Sequence, residues 1–223
     1  MKFFRRSSVL IFLIGIPMVL FFGWISVWQA PARANDIEFN SVREAMIPLP
    51  GISPVGPAYS KSFPPHDKAK AYYNRGTASY EKGDFDSAVK YLSMSLLLEP
   101  RSSDAYFNRG LSYRRQNKID RSVSDFSNAI KLEPNQPGYY FERCNALILK
   151  NDLLGATADC SEAIKLSPLE PESYFLRGLA RMLKGDLEEA FQDAVKALQL
   201  APDYMDAKRL LAEVLTLKNL SSR

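Results

Sequence analysis

Three stretches of the chain share one pattern, and their spacing decides the fold. Residues 72–85 read YYNRGTASYEKGDF, residues 106–119 read YFNRGLSYRRQNKI, and residues 174–187 read YFLRGLARMLKGDL. Glycine, arginine and proline all recur on one grid, whose period is the spacing from Gly76 to Gly110. The grid holds Gly76, Gly110, Cys144 and Gly178; Arg75, Arg109, Arg143 and Arg177; and Pro100, Pro134, Pro168 and Pro202. A shared period of this length predicts an array of stacked structural units.

Four units follow without a gap, at residues 69–102, 103–136, 137–170 and 171–204. Apolar residues three and four apart predict a helix in the first half of each unit, and a second such run, as at residues 119–132, predicts another. A glycine or polar turn separates the two helices, and the proline stops the second one. Small residues recur on both helices, which indicates that the two helices approach each other closely.

This pattern resembles the tetratricopeptide repeat family, whose units are about 34 residues long. The resemblance rests on the period, on the two-helix unit, and on small residues at the eighth, twentieth and twenty-seventh places of each unit. It covers residues 69–204. It implies an all-α fold, an α-solenoid of four helix-turn-helix units. The amphipathic segment that follows, residues 205–223, is expected to be a capping helix and tail, because the end of a stacked array needs a solvated face.

The segments before the repeats carry different signals. Residues 1–34 combine a basic start, an apolar run at residues 9–28 and Ala-Arg-Ala before Asn35, which predicts a cleaved signal peptide or a membrane anchor. Either interpretation exports the remaining chain to a periplasm, a lumen or the exterior. Residues 35–68 contain six prolines and predict an extended linker. Contact with a membrane is expected only through the N-terminal segment.

Charge argues against a nucleic-acid partner. The formal net charge is +4, but four of the 29 basic residues lie in the first 34 positions, where there is no acid. The remaining 25 basic residues balance the 25 acidic ones. A neutral body lacks the basic footprint of a nucleic-acid-binding protein.

The family resemblance implies that the first helices line the inner face of a curved array. The side chains expected there as a partner-binding surface are Tyr73, Phe107, Phe141, Asn145, Ile148, Phe175, Leu176, Leu179 and Met182. The expected function is an exported interaction module that binds another protein or a peptide in this groove. Two alternatives stay open: residues 35–68 fill the groove, or some of these side chains are buried between repeats.

A second functional hypothesis is a membrane-anchored assembly factor, or scaffold, for an envelope or photosynthetic-membrane complex. An enzyme is not expected, because the sequence has no phosphate-binding glycine loop, no HExxH or GxSxG motif and a single histidine. No catalytic residue, cofactor or metal site is assigned.

Two sets of residues are expected to be structural. Three arginines are each followed by an aspartate at one constant interval, which predicts the ion pairs Arg109–Asp125, Arg143–Asp159 and Arg177–Asp193. Cys144 and Cys160 are separated by the same interval and face each other from paired helices, so they form either a disulfide or two buried thiols. Of these, two buried thiols are the preferred interpretation.

Overall fold

The computed structural model describes residues 65–221, and within this range the chain is entirely helical with no strand. The predicted signal or anchor and residues 35–64 of the predicted linker lie outside it. The nine helices of the described range are α1 Pro65–Glu81, α2 Phe85–Leu98, α3 Ser103–Arg115, α4 Ile119–Leu132, α5 Pro137–Leu149, α6 Leu153–Leu166, α7 Pro171–Lys184, α8 Leu187–Leu200 and α9 Met205–Ser221. The all-α prediction is confirmed: four antiparallel helix pairs follow one another, and α9 closes the series.

The same backbone conformation turns the chain inside every pair. Gly83, Asn117, Asn151 and Gly185 have φ of 79°, 59°, 64° and 96°, and each stands one repeat after the one before it. Glycine and asparagine are the residues that adopt this left-handed conformation most readily. Each second helix ends two residues before one of the recurring prolines. The residue directly before a proline is disfavoured in the helical conformation, so it lies outside the helix.

Complementary side chains pack the two helices of a pair together. A Cβ atom on Gly76 would lie 2.5 Å from Cγ of Leu92, and one on Gly110 would lie 2.7 Å from Cε1 of Phe126. Leu92 and Phe126 are both fully buried. Because Gly76 and Gly110 have no side chain, each leaves space for a large side chain of the partner helix. That large side chain follows about half a repeat later in the sequence.

Neighbouring pairs stack so that their first helices touch. The pairs α1 and α3, α3 and α5, and α5 and α7 are in contact, whereas second helices of successive pairs make no such contact within residues 65–221. The first helices are therefore closer together than the second helices. The array curves, and the first helices lie on its inner side.

Helix α9 covers the last pair. Leu210 and Val214 are buried against Met182, Ala190 and Ala194 of α7 and α8. Burial of the α9 leucine and valine shields apolar surface that would otherwise face water.

The first helix begins earlier than the linker boundary predicts. Helix α1 begins at Pro65, so residues 65–68, including His66, are helical. Proline is well suited to this position, because the first residue of a helix donates no intrahelical hydrogen bond. No helix within residues 65–221 combines the length and apolar character that crossing a membrane requires.

Candidate functional site

The inner face carries an aromatic side chain from every repeat. Tyr73, Phe107, Phe141 and Phe175 stand one repeat apart on the four first helices, and each is partly exposed. One turn further along stand Thr77, Leu111, Asn145 and Leu179, which are also partly exposed. These eight side chains occupy equivalent positions in the four repeats, along the inner side of the curve. We call them the inner-face row.

Three residues predicted for the binding surface are instead in the core. Ile148, Leu176 and Met182 are only 9%, 7% and 6% exposed. Ile148 and Leu176 belong to the cluster around Cys144 and Cys160, and Met182 packs against α9. Their assignment to the groove is wrong, because contacts among α5, α6 and α7 cover Ile148 and Leu176, and α8 and α9 cover Met182. Leu149, which is 45% exposed, is the apolar side chain available at this end of α5.

The predicted arginines and aspartates are joined by two hydrogen bonds in each of the last three repeats. Arg143 donates from Nε and Nη2 to the two carboxylate oxygens of Asp159, at 2.6 and 2.7 Å. Arg109 binds Asp125 in the same way at 2.8 and 2.9 Å, and Arg177 binds Asp193 at 3.0 and 2.7 Å. The hydrogen bond from Arg143 to Asp159, together with the aspartate charge, outweighs burial and raises the pKa of Arg143.

Each of these arginines also bonds the preceding repeat, which the sequence reasoning missed. The Nη1 atoms of Arg109, Arg143 and Arg177 donate to the hydroxyls of Ser93, Ser127 and Ser161, at 3.0, 3.0 and 3.2 Å. The serines precede the arginines by the same interval at which the aspartates follow them, so the spacing analysis could have found them. The resulting Ser–Arg–Asp bridges tie each repeat to the previous one, and they leave no free guanidinium among these three arginines for a ligand.

The bridge series changes at both ends of the array. In the first repeat Tyr91 stands where later repeats have aspartate, and Arg75 lies over its ring at 5.9 Å. In the last repeat Val195 replaces the serine, and Leu211 of α9 stands where the next arginine would be. The polar bridge is thus replaced by apolar residues at the junction with the cap.

Cys144 and Cys160 form a disulfide, and both are fully buried. The preference for two free thiols is therefore wrong. These cysteines occupy the positions of the glycine–leucine pair in the first repeat and the glycine–phenylalanine pair in the second. A covalent bond between α5 and α6 replaces the packing of a large side chain against glycine.

Two pockets open between successive first helices, near their N-termini. The pocket between the first and second repeats has a volume of about 150 Å³ and is lined by His66, Lys70, Tyr73, Ser95, Glu99, Ser102 and Asp104. The pocket between the third and fourth repeats has a volume of about 330 Å³ and is lined by Pro137, Gly138, Phe141, Ser167, Glu170, Glu172 and Ser173. The two pockets lie two repeats apart, and five lining residues of one occupy the same repeat positions as five lining residues of the other.

A tyrosine occupies the equivalent place at the junction between the second and third repeats. The hydroxyl of Tyr139 donates to Asp104 at 3.0 Å, and its ring centroid lies 4.9 Å from that of Phe107. Burial, assisted by the charge of Asp104, raises the pKa of Tyr139 to about 12. At the position of Tyr139, the second repeat has Ala105 and the fourth repeat has Ser173. Both residues are small, so the space at these two junctions stays open.

The junction between the fourth repeat and the cap is closed by a different tyrosine. The ring of Tyr204 packs edge-on against Phe175, with centroids 5.4 Å apart. Burial, with the charges of Asp206 and Glu172, raises the pKa of Tyr204 to about 12. The inner-face row thus alternates between filled and open junctions.

One ionisable group in the middle of the row is held in an unfavourable environment. Glu142 is largely buried, and this burial raises the pKa of its carboxyl even though Arg114 and Arg115 act in the opposite direction. Arg114 Nη2 lies 2.8 Å from Glu142 Oε2, as an ion pair without hydrogen-bond geometry. Within residues 65–221 no group of three or more His, Cys, Asp and Glu side chains is placed to hold a metal ion.

The helix pairs, their curvature and the bridges between repeats define a class of protein, the helical-repeat solenoids. Models of the tetratricopeptide repeat family match residues 69–101, 103–136 and 171–204. The chain is a tetratricopeptide-repeat protein, as the sequence predicts. Among curated proteins, none matches the chain significantly.

Solved structures show the same fold. A crystal structure of MamA has 19% sequence identity and a TM-score of 0.66, over 69% of this chain and 84% of that one. YrrB, described as a repeat protein of this family with an unusual peptide-binding site, has 18% identity and a TM-score of 0.61, over 68% of this chain and 78% of that one. The first such domain of Spaghetti (RPAP3), bound to the HSP90 peptide SRMEEVD, has 25% identity and a TM-score of 0.52, over 52% of this chain and 93% of that one.

Proposed function

We propose that this protein is a protein–protein interaction module whose inner-face row binds a peptide segment of a partner. The observation that carries the proposal is the row itself: an aromatic side chain from each repeat, partly exposed, on helices held rigidly by the bridges. A preformed surface loses little conformational freedom on binding, which favours affinity. Peptide binding in two similar structures supports the same use of the fold.

The chemistry of the surface suggests where the partner contacts it. Leu111 lies in the centre of the row and packs in none of the apolar core clusters, so its exposed part is available to a ligand. Phe175 and Leu179 pack against two core clusters, the one around Cys144 and Cys160 and the one near α9, whereas Phe141 packs against the first of these only. We expect Leu111 and the exposed faces of Phe107 and Phe141 to supply the main apolar contacts.

The test is partner capture from the native compartment by the full chain and by two variants. Leu111→Glu places a charge in the row and should abolish capture of the proteins that the unchanged chain retains. The matched control is Leu97→Glu, at a side chain that is 64% exposed on the second helix α2, and it should capture normally. Capture by Leu111→Glu equal to that of the control would refute binding at the inner face.

We also propose that the chain acts outside the cytoplasm. The sequence of residues 1–34 supports export, and so does the Cys144–Cys160 disulfide, because disulfides persist mainly in oxidising compartments. A membrane-anchored assembly factor is the version of this proposal in which residues 9–28 are retained. Release of the protein by salt washing of membranes would argue against that version.

A further inference from the structure

We infer that the pocket between the third and fourth repeats binds an arginine side chain of the partner. The inference rests on the proposed function and identifies the chemistry of one part of that surface. The pocket has a volume of about 330 Å³, near the lower end for a ligand site, which suits one long side chain better than a folded segment. We call it the 3–4 pocket.

A polar atom at the bottom of the 3–4 pocket has no partner. Ser173 lines the pocket, is only 4% exposed, and its hydroxyl makes no hydrogen bond to any residue in the part of the chain that the structure describes. Its oxygen is not among the enclosed side-chain atoms that lack a partner in residues 65–221, so it is open to the pocket. Two other serines of comparable burial near such junctions are bonded: Ser95 donates to the carbonyl oxygen of Ala69 at 2.9 Å, and Ser103 donates to Glu133 at 2.6 Å. Ser173 therefore offers an unpartnered hydroxyl to a hydrogen-bonding group that enters the pocket.

The charge of the 3–4 pocket favours a cation over a neutral or anionic group. Glu170 and Glu172 lie at its rim, both are exposed, and neither forms an ion pair within residues 65–221. Among residues 65–221, no lysine, arginine or histidine lines the pocket. The N-termini of α5 and α7 each contribute roughly half a positive charge, which offsets about half of the two carboxylate charges. The net potential at the rim stays negative.

The aromatic wall favours arginine over lysine. Phe141 forms the apolar side of the 3–4 pocket and is partly exposed there. A guanidinium can stack flat on a phenyl ring while its N–H groups reach carboxylates in the same plane, whereas an ammonium is a compact and strongly hydrated charge. One arginine could thus contact Phe141, the rim carboxylates and the hydroxyl of Ser173 together.

The equivalent pocket between the first and second repeats shows how the chain supplies a cation itself. Lys70 stands there at the position of Gly138 and lines the pocket together with Glu99 and Asp104, and Nδ1 of His66 lies 3.5 Å from Oε2 of Glu99. In the 3–4 pocket that lysine is missing, and Gly138 leaves open space: a Cβ atom on it would meet nothing within 4 Å. The cation for the 3–4 pocket must therefore come from another segment.

The test uses nuclear magnetic resonance of the full chain with two small probes. Nα-acetyl-L-arginine amide should shift the backbone amide signals of Gly138 and Ser173 in a saturable way. Nα-acetyl-L-citrulline amide has the same shape without the charge and should bind at least about tenfold more weakly. Equal binding of the two probes, or shifts elsewhere only, would overturn the inference.

Variants of the full chain make the assignment specific. Glu170→Gln combined with Glu172→Gln should weaken the arginine probe about tenfold or more. Gly138→Lys copies Lys70 of the first pocket and should block the probe, while Gly138→Gln, similar in length but uncharged, should bind it. Retention of the probe by Gly138→Lys would contradict the electrostatic argument.

Two further outcomes separate this inference from its alternatives. If an arginine of the chain itself occupies the pocket, the probe will bind only after Arg33→Gln and Arg43→Gln replacement, and the partner assignment falls. If the probe fails while Leu111→Glu still abolishes partner capture, this inference falls and the proposed function stands. If the probe binds and Leu111→Glu captures normally, the location proposed for partner binding is refuted.

Discussion

At the scale of single residues, the repeated Ser–Arg–Asp bridge is the most informative feature. It uses the planar guanidinium to satisfy a buried aspartate within one repeat and a serine of the previous repeat at the same time. The side chain of Asp159 is only 8% exposed, and Arg143 Nε lies 2.6 Å from its carboxylate. Removal of one partner from such a pair costs more than the pair contributes, because the other charge stays buried.

Arg143→Ala should therefore destabilise the protein by about 3 kcal/mol. The control is Arg75→Ala, because Arg75 contacts a tyrosine ring instead of a carboxylate and should cost less than about 1 kcal/mol. Chemical denaturation of both variants measures the difference. Equal losses in the two variants would show that the aspartate bridge has no special role.

Glu142 gives a prediction about pH. Burial raises its pKa in the folded protein, so the folded state binds this proton more tightly than the unfolded chain does. The resulting stability is present below the ordinary carboxyl pKa and is lost as the pH rises through the raised value. The melting temperature of Glu142→Gln minus that of the unchanged protein should thus increase as the pH rises from about 4 to about 7.

Glu188→Gln is the control of opposite sign. Hydrogen bonds from Lys218 and Gln192 lower the pKa of Glu188, so its stabilising effect is present above the ordinary pKa and is lost as the pH falls. This variant should lose melting temperature at neutral pH. If the melting temperatures of the two variants, each relative to the unchanged protein, changed with pH in the same direction, the environments assigned to Glu142 and Glu188 would be contradicted.

At the scale of helices, the first two pairs join one small and one large side chain where the two helices cross, the third uses a covalent bond, and in the fourth Gly178 lies against Asp193 and against Leu210 of α9. Gly76 faces Leu92, Gly110 faces Phe126, and the third pair uses the disulfide instead. The sequence predicts the small positions, since they recur on the grid. Whether two cysteines that face each other are bonded depends on the distance between the helices, which the sequence pattern does not contain.

The disulfide and the glycine–leucine pair should be partly interchangeable. Cys144→Ala with Cys160→Ala removes a bond between cysteines at a sequence separation of 16 and should cost about 3 kcal/mol. Cys144→Gly with Cys160→Leu copies the first repeat and should recover a measurable part of this loss. Denaturation of the three proteins decides the point, and a leucine variant no more stable than the alanine variant would contradict the proposed equivalence.

Gly110→Ala tests the close approach directly. The added Cβ atom would lie 2.7 Å from Phe126, so we expect a loss of about 1–3 kcal/mol. Gly138→Ala is the matched control, because its Cβ atom would meet nothing, and it should be neutral or slightly stabilising. Thermal melting of both variants gives the comparison; a Gly110→Ala protein as stable as the control would mean that the helices can move apart at little cost.

At the scale of the whole molecule, the repeat period carries most of the fold. It predicts the number of pairs, their turns, the ion pairs and the cap. The binding surface is harder to predict, as Ile148, Leu176 and Met182 show. They have the right position in the repeat, but neighbouring helices bury them, and for Met182 these include the capping helix α9. The 3–4 pocket depends on which repeat has a tyrosine at the place of Ser173, and nothing within a single repeat indicates this.

The central claim is that the inner-face row binds a partner, and site-specific photocrosslinking tests it most directly. A photoreactive phenylalanine analogue would replace Leu111 in one full chain and Leu97 in another, each expressed in the native compartment. The account predicts crosslinks to the same partner protein from position 111 and none from position 97. Crosslinks from position 97 alone, or from position 111 only to the chain itself, would contradict it.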